Sequence, residues 1–378
     1  MLLPDLPVEL LESISENLDS ETSISAFSRA NRRLHNLLTG HLYRHNARWC
    51  GSSALIWAAR QGREETVRKA LRWGADVNAQ GGHYGSALQA ASARGYEKIV
   101  RLLLKNNADA NTQGGHYGSA LQAASAEGHE KIVQLLLDHN ADVNIEDRYY
   151  GSPLQIASAE GHEKIVQLLL ENNADVNAQG GSYESALLAA SVEGHEKVVQ
   201  LLLDKNADVN AQGGNYYGSA LLAASVGGHE KVVQLLLNMN ADVNAQSAYY
   251  GNALQAASIG GHEKVVQLLL DKNADVNAQG GFYRSALAAA STWGHEKIVQ
   301  LLIDKNADVN AQGGELGSAL QNADVNARGG RYRNALQAAL ARGYEKIAQL
   351  LWALRKCIAG GSGIRSREDR PATPRKER

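Results

Sequence analysis

The residues of this chain whose type and spacing could support chemistry are histidines. Imidazole is a common metal ligand and general acid or base, so a recurring histidine first suggests a metal or catalytic site. The histidines recur about 33 residues apart, however, and Arg63, Tyr96 and Tyr344 hold equivalent places. Because the position accepts residues that bind no metal, we predict a structural role for the histidines of the Gly-His-Glu-Lys sequences, namely His129, His162, His195, His229, His262 and His295.

No other pattern in the sequence is typical of an enzyme. The chain contains no His-Glu-x-x-His, paired Cys-x-x-Cys, phosphate-binding loop or nucleophile elbow. The Gly-Gly pairs recur at the same period and open no helix, so we interpret them as turns. We therefore predict a non-enzymatic protein with no catalytic residue, no cofactor and no metal.

Composition narrows the class of partner. The 378 residues carry a net charge of -2, which argues against nucleic acid and acidic membranes as partners. Two cysteines favour an intracellular protein. The N-terminus resembles no signal peptide, and no apolar stretch approaches the roughly 20 residues that span a bilayer. We expect a cytoplasmic or nuclear protein that binds no membrane.

The elements that position these residues repeat along the chain. A short box, Ser-Ala-Leu in most copies, begins at residues 53, 86, 119, 152, 185, 219, 252, 285, 318 and 334. The spacing is 33 residues, except for one step of 34 after Ser185 and one of 16 after Ser318. A fixed period of this size indicates a stacked repeat array, in which each unit buries its apolar face on the next.

Residues 86–118 predict the structure of one unit. Ser86 caps a first helix that Gly95 ends, and Glu97 opens a second, apolar helix. Asn107 ends that helix in the left-handed conformation, as do Gly74 in the first unit and an asparagine in the later ones. A glycine-rich turn follows, whose positive φ angles we assign to the glycine pair that precedes its tyrosine.

Helix, turn, helix and glycine-rich finger at period 33 resemble the ankyrin repeat. Gly-His-Glu-Lys-Val-Val-Gln-Leu-Leu-Leu (194–203) and Ala-Asp-Val-Asn (207–210) match that family closely, while the fingers depart from it by carrying a tyrosine. The resemblance implies an all-α solenoid of helix pairs with β-hairpin fingers over residues 51–356, with nine complete units. It also implies that fingers and first-helix ends share a concave side that binds proteins.

One copy is incomplete, because seventeen residues are missing between Gln321 and Asn322 relative to the period. We expect residues 308–333, with the truncated unit at 318–333, to be mostly loop, and the pair at about 334–356 to dock on the pair at 285–305. A gene-model or splicing error would explain the gap equally well. After 356 we expect a disordered basic tail at 357–378, which lacks apolar residues to order it.

Residues 1–50 lie outside the repeat and resemble an F-box. The resemblance rests on Leu6-Pro7-Val8-Glu9-Leu10-Leu11 and on the later Asn31-Arg32-Arg33-Leu34 and Leu42-Tyr43-Arg44. It implies a small helical head that binds a Skp-type adaptor of a cullin–RING ubiquitin ligase, through Leu6, Pro7, Leu10, Leu11 and Ile14. A second interpretation, compatible with the first, is that these helices cap the apolar end of the array.

Partner specificity is expected where the copies differ, in the fingers and at the ends of the first helices. Aromatic side chains and arginine concentrate binding energy at interfaces. The predicted partner-binding residues are His83, His116, Tyr149, Tyr216, Tyr249, Phe282, Arg284 and Trp293. For the tyrosine that recurs in every finger, a ladder of rings packed finger against finger is an alternative to partner contact.

These features favour a non-enzymatic scaffold that receives substrates for ubiquitination, with the substrate protein on the array. The alternative is an ankyrin adaptor or sensor with no link to a ligase.

Overall fold

The computed structural model describes residues 40, 42–48, 50–213, 217–311 and 335–361, with side chains as far as Arg355. The described chain is mostly helical, as predicted, and its helices come in antiparallel pairs whose odd-numbered member is the first. In chain order they are α1 (Ser53–Arg60), α2 (Glu64–Arg72), α3 (Ala87–Ala93), α4 (Glu97–Lys105), α5 (Ala120–Ala126), α6 (Glu130–Asp138), α7 (Pro153–Ala159), α8 (Glu163–Glu171), α9 (Ala186–Glu193), α10 (Glu196–Asp204), α11 (Ala220–Gly227), α12 (Glu230–Asn238), α13 (Ala253–Gly260), α14 (Glu263–Asp271), α15 (Ala286–Trp293), α16 (Glu296–Asp304), α17 (Ala335–Arg342) and α18 (Glu345–Gly361).

The first helices stack in series within two compact units. Unit 1 comprises residues 1–190 and 197–208, and unit 2 comprises residues 191–196 and 209–378. In unit 1, α1, α3, α5 and α7 pack each on the next; in unit 2, α11, α13, α15 and α17 do the same. Fully buried alanines such as Ala90 and Ala91 let neighbouring helices approach closely, which explains why these short helices are rich in alanine.

The predicted start and end signals of the helices are confirmed. The Ser86 hydroxyl accepts a hydrogen bond from the Gln89 N–H, and the Gln89 side chain accepts one from the Ser86 N–H, which forms a capping box at the start of α3. Gly95 follows the helix at φ +73°. The asparagines that end the second helices, from Asn107 to Asn306, have φ angles of 59–66°, the left-handed values predicted for them.

The assignment of positive φ in the fingers was only partly right. Gly82 is left-handed, but so is the residue after the tyrosine, as at Gly85 (φ +86°). This second position closes the finger, because β1 (Gln80–Gly81) and β2 (Gly85–Ser86) pair there through Gly81 and Gly85. Glu184 and Arg284 take the same left-handed conformation, at φ 63° each, although they carry a Cβ.

The asparagine of Ala-Asp-Val-Asn links the base of one finger to the next, a function that the sequence did not indicate. The Asn144 side-chain oxygen Oδ1 accepts from the Asp175 N–H at 2.8 Å, and the side-chain nitrogen Nδ2 donates to the Asn173 backbone carbonyl at 3.3 Å. The same pair of bonds recurs from Asn111 to Asp142 and Asn140. These side chains therefore hold successive repeats at a constant spacing.

The last helix pair docks directly on the pair before it, as predicted. Helix α17 packs on α15, and the Lys346 ammonium lies 3.6 Å from the Glu296 carboxylate. Helix α18 continues to Gly361, so it extends into the segment that we expected to belong to the tail. Residues 356–359 contain no helix breaker, and the helix ends only at the glycine pair. Residues 362–378 and the truncated copy at 318–333 lie outside the described residues.

Candidate protein-binding surface

The recurring histidines have a structural role, as predicted. The His162 ring nitrogen Nε2 lies 3.1 Å from the Ala126 carbonyl at the end of the preceding first helix, and His129, His229, His262 and His295 make the equivalent contact. The ring also occupies the space beside a glycine of that repeat, as His162 does beside Gly128. Within the described residues, no group of three or more His, Cys, Asp or Glu side chains could hold a metal ion.

The finger tyrosines form the ladder that was considered as an alternative to partner contact. The rings of Tyr84, Tyr117 and Tyr150 stack at centroid distances of 6.3 Å in unit 1. Tyr217 and Tyr250 stack at the same distance in unit 2, with planes only 9° apart. All five side chains are partly buried, so the stacked rings help to hold neighbouring fingers together.

Three predicted partner-binding residues lie on neighbouring finger tips of unit 1. The exposed rings of His83 and His116 are 4.6 Å apart, and the His116 N–H donates to the His83 carbonyl at 2.8 Å. Tyr149 is 70% exposed, the most exposed large hydrophobic side chain among those described. Its carbonyl accepts from both the N–H and the hydroxyl of Ser182, so its backbone is held in place while its ring faces solvent.

Three more predicted residues lie together in unit 2. Tyr249 and Phe282 stack at 6.4 Å on adjacent finger tips, and the Phe282 N–H donates to the Tyr249 carbonyl at 2.9 Å. Trp293, at the end of α15, joins them through Tyr283, whose hydroxyl accepts from the indole N–H at 3.0 Å. Their exposed fractions of 50%, 42% and 46% make this an open aromatic surface.

Of the remaining predicted site residues, Arg284 has a structural role, and the others lie outside the described residues. Arg284 is half-buried at a left-handed φ, and its carbonyl accepts from the Gln255 side chain at 2.9 Å, so its backbone helps to close the finger. Tyr216 lies outside the described residues. The same holds for the predicted adaptor-binding residues Leu6, Pro7, Leu10, Leu11 and Ile14.

A hydrogen bond between a finger tyrosine and the residue at the end of the first helix that follows it, found for Tyr117 and Tyr283, was missed from the sequence. The Tyr117 hydroxyl donates to the Glu127 carboxylate, and burial, followed by this bond, raises the pKa of Tyr117 well above its usual value. Burial likewise raises the pKa of Tyr283. In both pairs, Tyr117 with Glu127 and Tyr283 with Trp293, the two residues lie ten positions apart within one repeat. This constant spacing is the sequence signal that could have revealed the pairing.

The surface offers aromatic rings, carboxylates and ordered finger backbones, which are groups for recognising a protein. None of the helices in the described part of the chain has the length and apolar character that spanning a bilayer requires.

The family model described as Ankyrin repeats (3 copies) matches residues 24–114, 115–180, 180–247 and 221–313, well over half of the chain. The first match begins inside the segment predicted as the head. A comparison with curated proteins finds no match.

Proposed function

The chain belongs to the ankyrin repeat family, whose members are generally non-enzymatic modules that bind proteins, and we propose that it is the substrate receptor of a cullin–RING ubiquitin ligase. In this proposal the N-terminal head binds a Skp-type adaptor through Leu6, Pro7, Leu10, Leu11 and Ile14. The array holds the substrate protein on its finger-and-helix-end surface, and the chain itself catalyses nothing.

The observation that carries the proposal is the pairing of an F-box-like sequence with an array that displays ordered aromatic side chains. The exposed rings of Tyr149, Tyr249, Phe282 and Trp293 are of the types that dominate binding energy at interfaces. The backbones of Tyr149, Tyr249 and Phe282 are fixed by bonds between neighbouring fingers, which lowers the entropy lost on binding. Such a surface suits a folded or extended protein partner.

The junction between head and array supports a rigid connection. The Asn46 side chain donates to the Ser53 hydroxyl at 2.9 Å and accepts from the Ala54 N–H at 2.9 Å, at the start of α1. The Arg44 guanidinium lies 5.2 Å from the centre of the Trp73 ring. The helix of residues 42–48 is therefore fixed to the first repeat, as a receptor needs if adaptor and substrate are to be held at a defined separation.

The test is capture of the full chain by an immobilised Skp-type adaptor. We expect the natural chain to bind and the Leu6→Ala/Pro7→Ala double variant to lose binding. Leu3→Ala/Pro4→Ala is the matched control, because it removes a second Leu-Pro pair three residues earlier in the chain. Equal capture of both variants, or no capture of the natural chain, would reject the ligase link.

A second candidate is an ankyrin adaptor or sensor whose N-terminal helices only cap the array. The contacts of Asn46 and Arg44 favour it specifically, because they place part of the head against the first repeat, where a cap would lie. In that case the natural chain does not bind the adaptor, but removing residues 1–50 still lowers the stability of α1 and α2.

A further inference from the structure

An open groove of about 450 Å³ lies in unit 1 between the finger tips and the ends of two first helices. Its walls include the tyrosines Tyr117, Tyr149 and Tyr150 and the carboxylates of Glu127 and Glu160. The floor is apolar, since Ile156 and Ala159 line it and are more than nine-tenths buried. The groove therefore combines aromatic faces with negative charge and contains no cation among its lining residues.

The walls of the groove are held in place before any partner arrives. The Tyr117 hydroxyl orients the Glu127 carboxylate, and the Tyr150 hydroxyl lies 2.9 Å from Nε2 of His116 on the neighbouring finger. Tyr149 stands edge-on to Tyr150, with the ring centroids 5.2 Å apart. A partner would lose little free energy in ordering such side chains.

Elsewhere in the chain, arginine guanidinium groups near the ends of first helices lie over aromatic rings. Arg60, the last residue of α1, and Arg94, the residue just after α3, have guanidinium groups 5.5 and 5.6 Å from the centre of the Tyr84 ring. At the other end of the array, Arg342 lies 5.9 Å from the Trp293 ring in the same way. These are cation–π contacts made by residues at the ends of first helices.

In the repeats that form the groove, the same helix-end position holds a glutamate. Glu127 and Glu160 stand where Arg94 stands one and two repeats earlier. The tyrosine rings remain, but the charge beside them changes from positive to negative. The groove thus has the aromatic faces of a guanidinium site together with two carboxylates that would pair with a guanidinium from outside.

We propose that this groove binds an arginine side chain in a basic segment of the partner protein, with the guanidinium against Tyr149 or Tyr150 and paired with Glu127 and Glu160. The proposal rests on the proposed function, because it specifies the chemistry of the protein that the array receives. Arginine suits the site better than lysine because its planar guanidinium both stacks on a ring and forms forked bonds to a carboxylate.

The test uses the full chain and two defined peptides, acetyl-GSRGSRGS-amide and its counterpart with glutamine in place of each arginine. We expect NMR titration with the arginine peptide to give saturable shifts at Tyr117, Tyr149 and Tyr150, and the glutamine peptide to give none. The Glu127→Gln/Glu160→Gln variant should bind the arginine peptide about tenfold more weakly. Tyr149→Ala should weaken binding as well, which a purely electrostatic attraction would not do.

The matched control is Glu65→Gln/Glu171→Gln, which removes two exposed carboxylates from second helices and changes the net charge equally. It should bind the arginine peptide about as tightly as the natural chain. If both double variants lose the same affinity, if the glutamine peptide binds equally well, or if the shifts map to Tyr249 and Phe282 instead, the proposal is overturned.

Two further measurements identify the occupant of the groove and separate it from the ligase link. If the arginine peptide binds only after residues 362–378 are removed, the chain's own basic tail is the occupant and the proposal of a partner segment is rejected. Adaptor capture is measured on the same preparation. Failure of the peptide with adaptor capture intact rejects the groove assignment alone, whereas failure of adaptor capture with peptide binding intact rejects only the ligase link.

Discussion

Replacing Gln155 with alanine tests how the fingers are held to the helices. The Gln155 side chain is 2% exposed, and its amide donates to the carbonyls of Ala178, Gly180 and Glu184 at 3.1–3.2 Å. Its oxygen accepts from the Ser152 N–H at 2.7 Å. Two amide hydrogens and one oxygen make three hydrogen bonds, and at about 1 kcal/mol each the variant should lose roughly 2–3 kcal/mol of unfolding free energy.

The chain supplies its own evidence that alanine fits this position. Ala288 occupies it in α15, where its N–H still donates to the Ser285 hydroxyl at 3.1 Å, so the helix start forms without glutamine. The measured loss should therefore report the missing finger bonds. Urea denaturation gives the free energy, and hydrogen exchange of residues 178–184 gives the local effect.

Gln167→Ala is the control, because Gln167 belongs to the same repeat but is exposed and bonds only to Glu171 at 2.9 Å. It should cost less than about 0.5 kcal/mol. If Gln155→Ala costs no more than this control, or if finger exchange does not quicken, the side chain does not hold the finger and the reasoning is refuted.

Three other predictions follow from single contacts. Asn173→Ala should destabilise by about 1 kcal/mol in urea denaturation because Asn173 sits at φ 66°, while Asn173→Gly should be nearly neutral; equal losses would contradict this. Because the pKa of Tyr117 is raised in the folded chain, the tyrosine of the unfolded chain loses its proton first as the pH rises above its usual pKa of 10.0, and the free energy of unfolding falls above that pH. The Tyr117→Phe variant should therefore show a smaller decline of the urea midpoint at alkaline pH. Helices α17 and α18 should exchange amide hydrogens faster than α13 and α14, since Leu340 of α17 is 52% exposed. The Tyr344→Ala variant, which removes the ring beside Gly294, should quicken that exchange, and inserting a copy of residues 289–305 after Gln321 should slow it. Protection of α17 equal to that of α13 in the natural chain would show that direct docking fully repairs the missing copy.

The helices could be predicted from the sequence because each repeat carries its own local signals. Ser86 marks a helix start and Asn107 a helix end through bonds and backbone angles that involve only neighbouring residues. Ten boxes that mark a helix start, most of them 33 residues apart, leave little ambiguity about the stack. The array and its family were therefore accessible before any coordinates.

The finer arrangement depends on contacts between residues far apart in the chain. The bonds from Asn144 to the next finger cross 29 and 31 residues, and nothing in Ala-Asp-Val-Asn alone indicates them. The exposed rings were predicted from their variation between copies, but the groove needed the coordinates. It arises because Tyr149, Glu127 and Glu160 come from three separate segments that only the stacking of repeats brings together.

Site-specific photo-crosslinking in cells shows whether the finger-and-helix-end surface holds the protein partner. A benzophenone amino acid is placed at Tyr149 or Phe282 on the finger tips, and at Gln134 or Gln300 on the exposed side of second helices. We predict a discrete protein adduct from the finger-tip positions and none from the second-helix positions. Adducts that form equally at all four positions, or only at Gln134 and Gln300, would show that the partner does not bind at the finger tips.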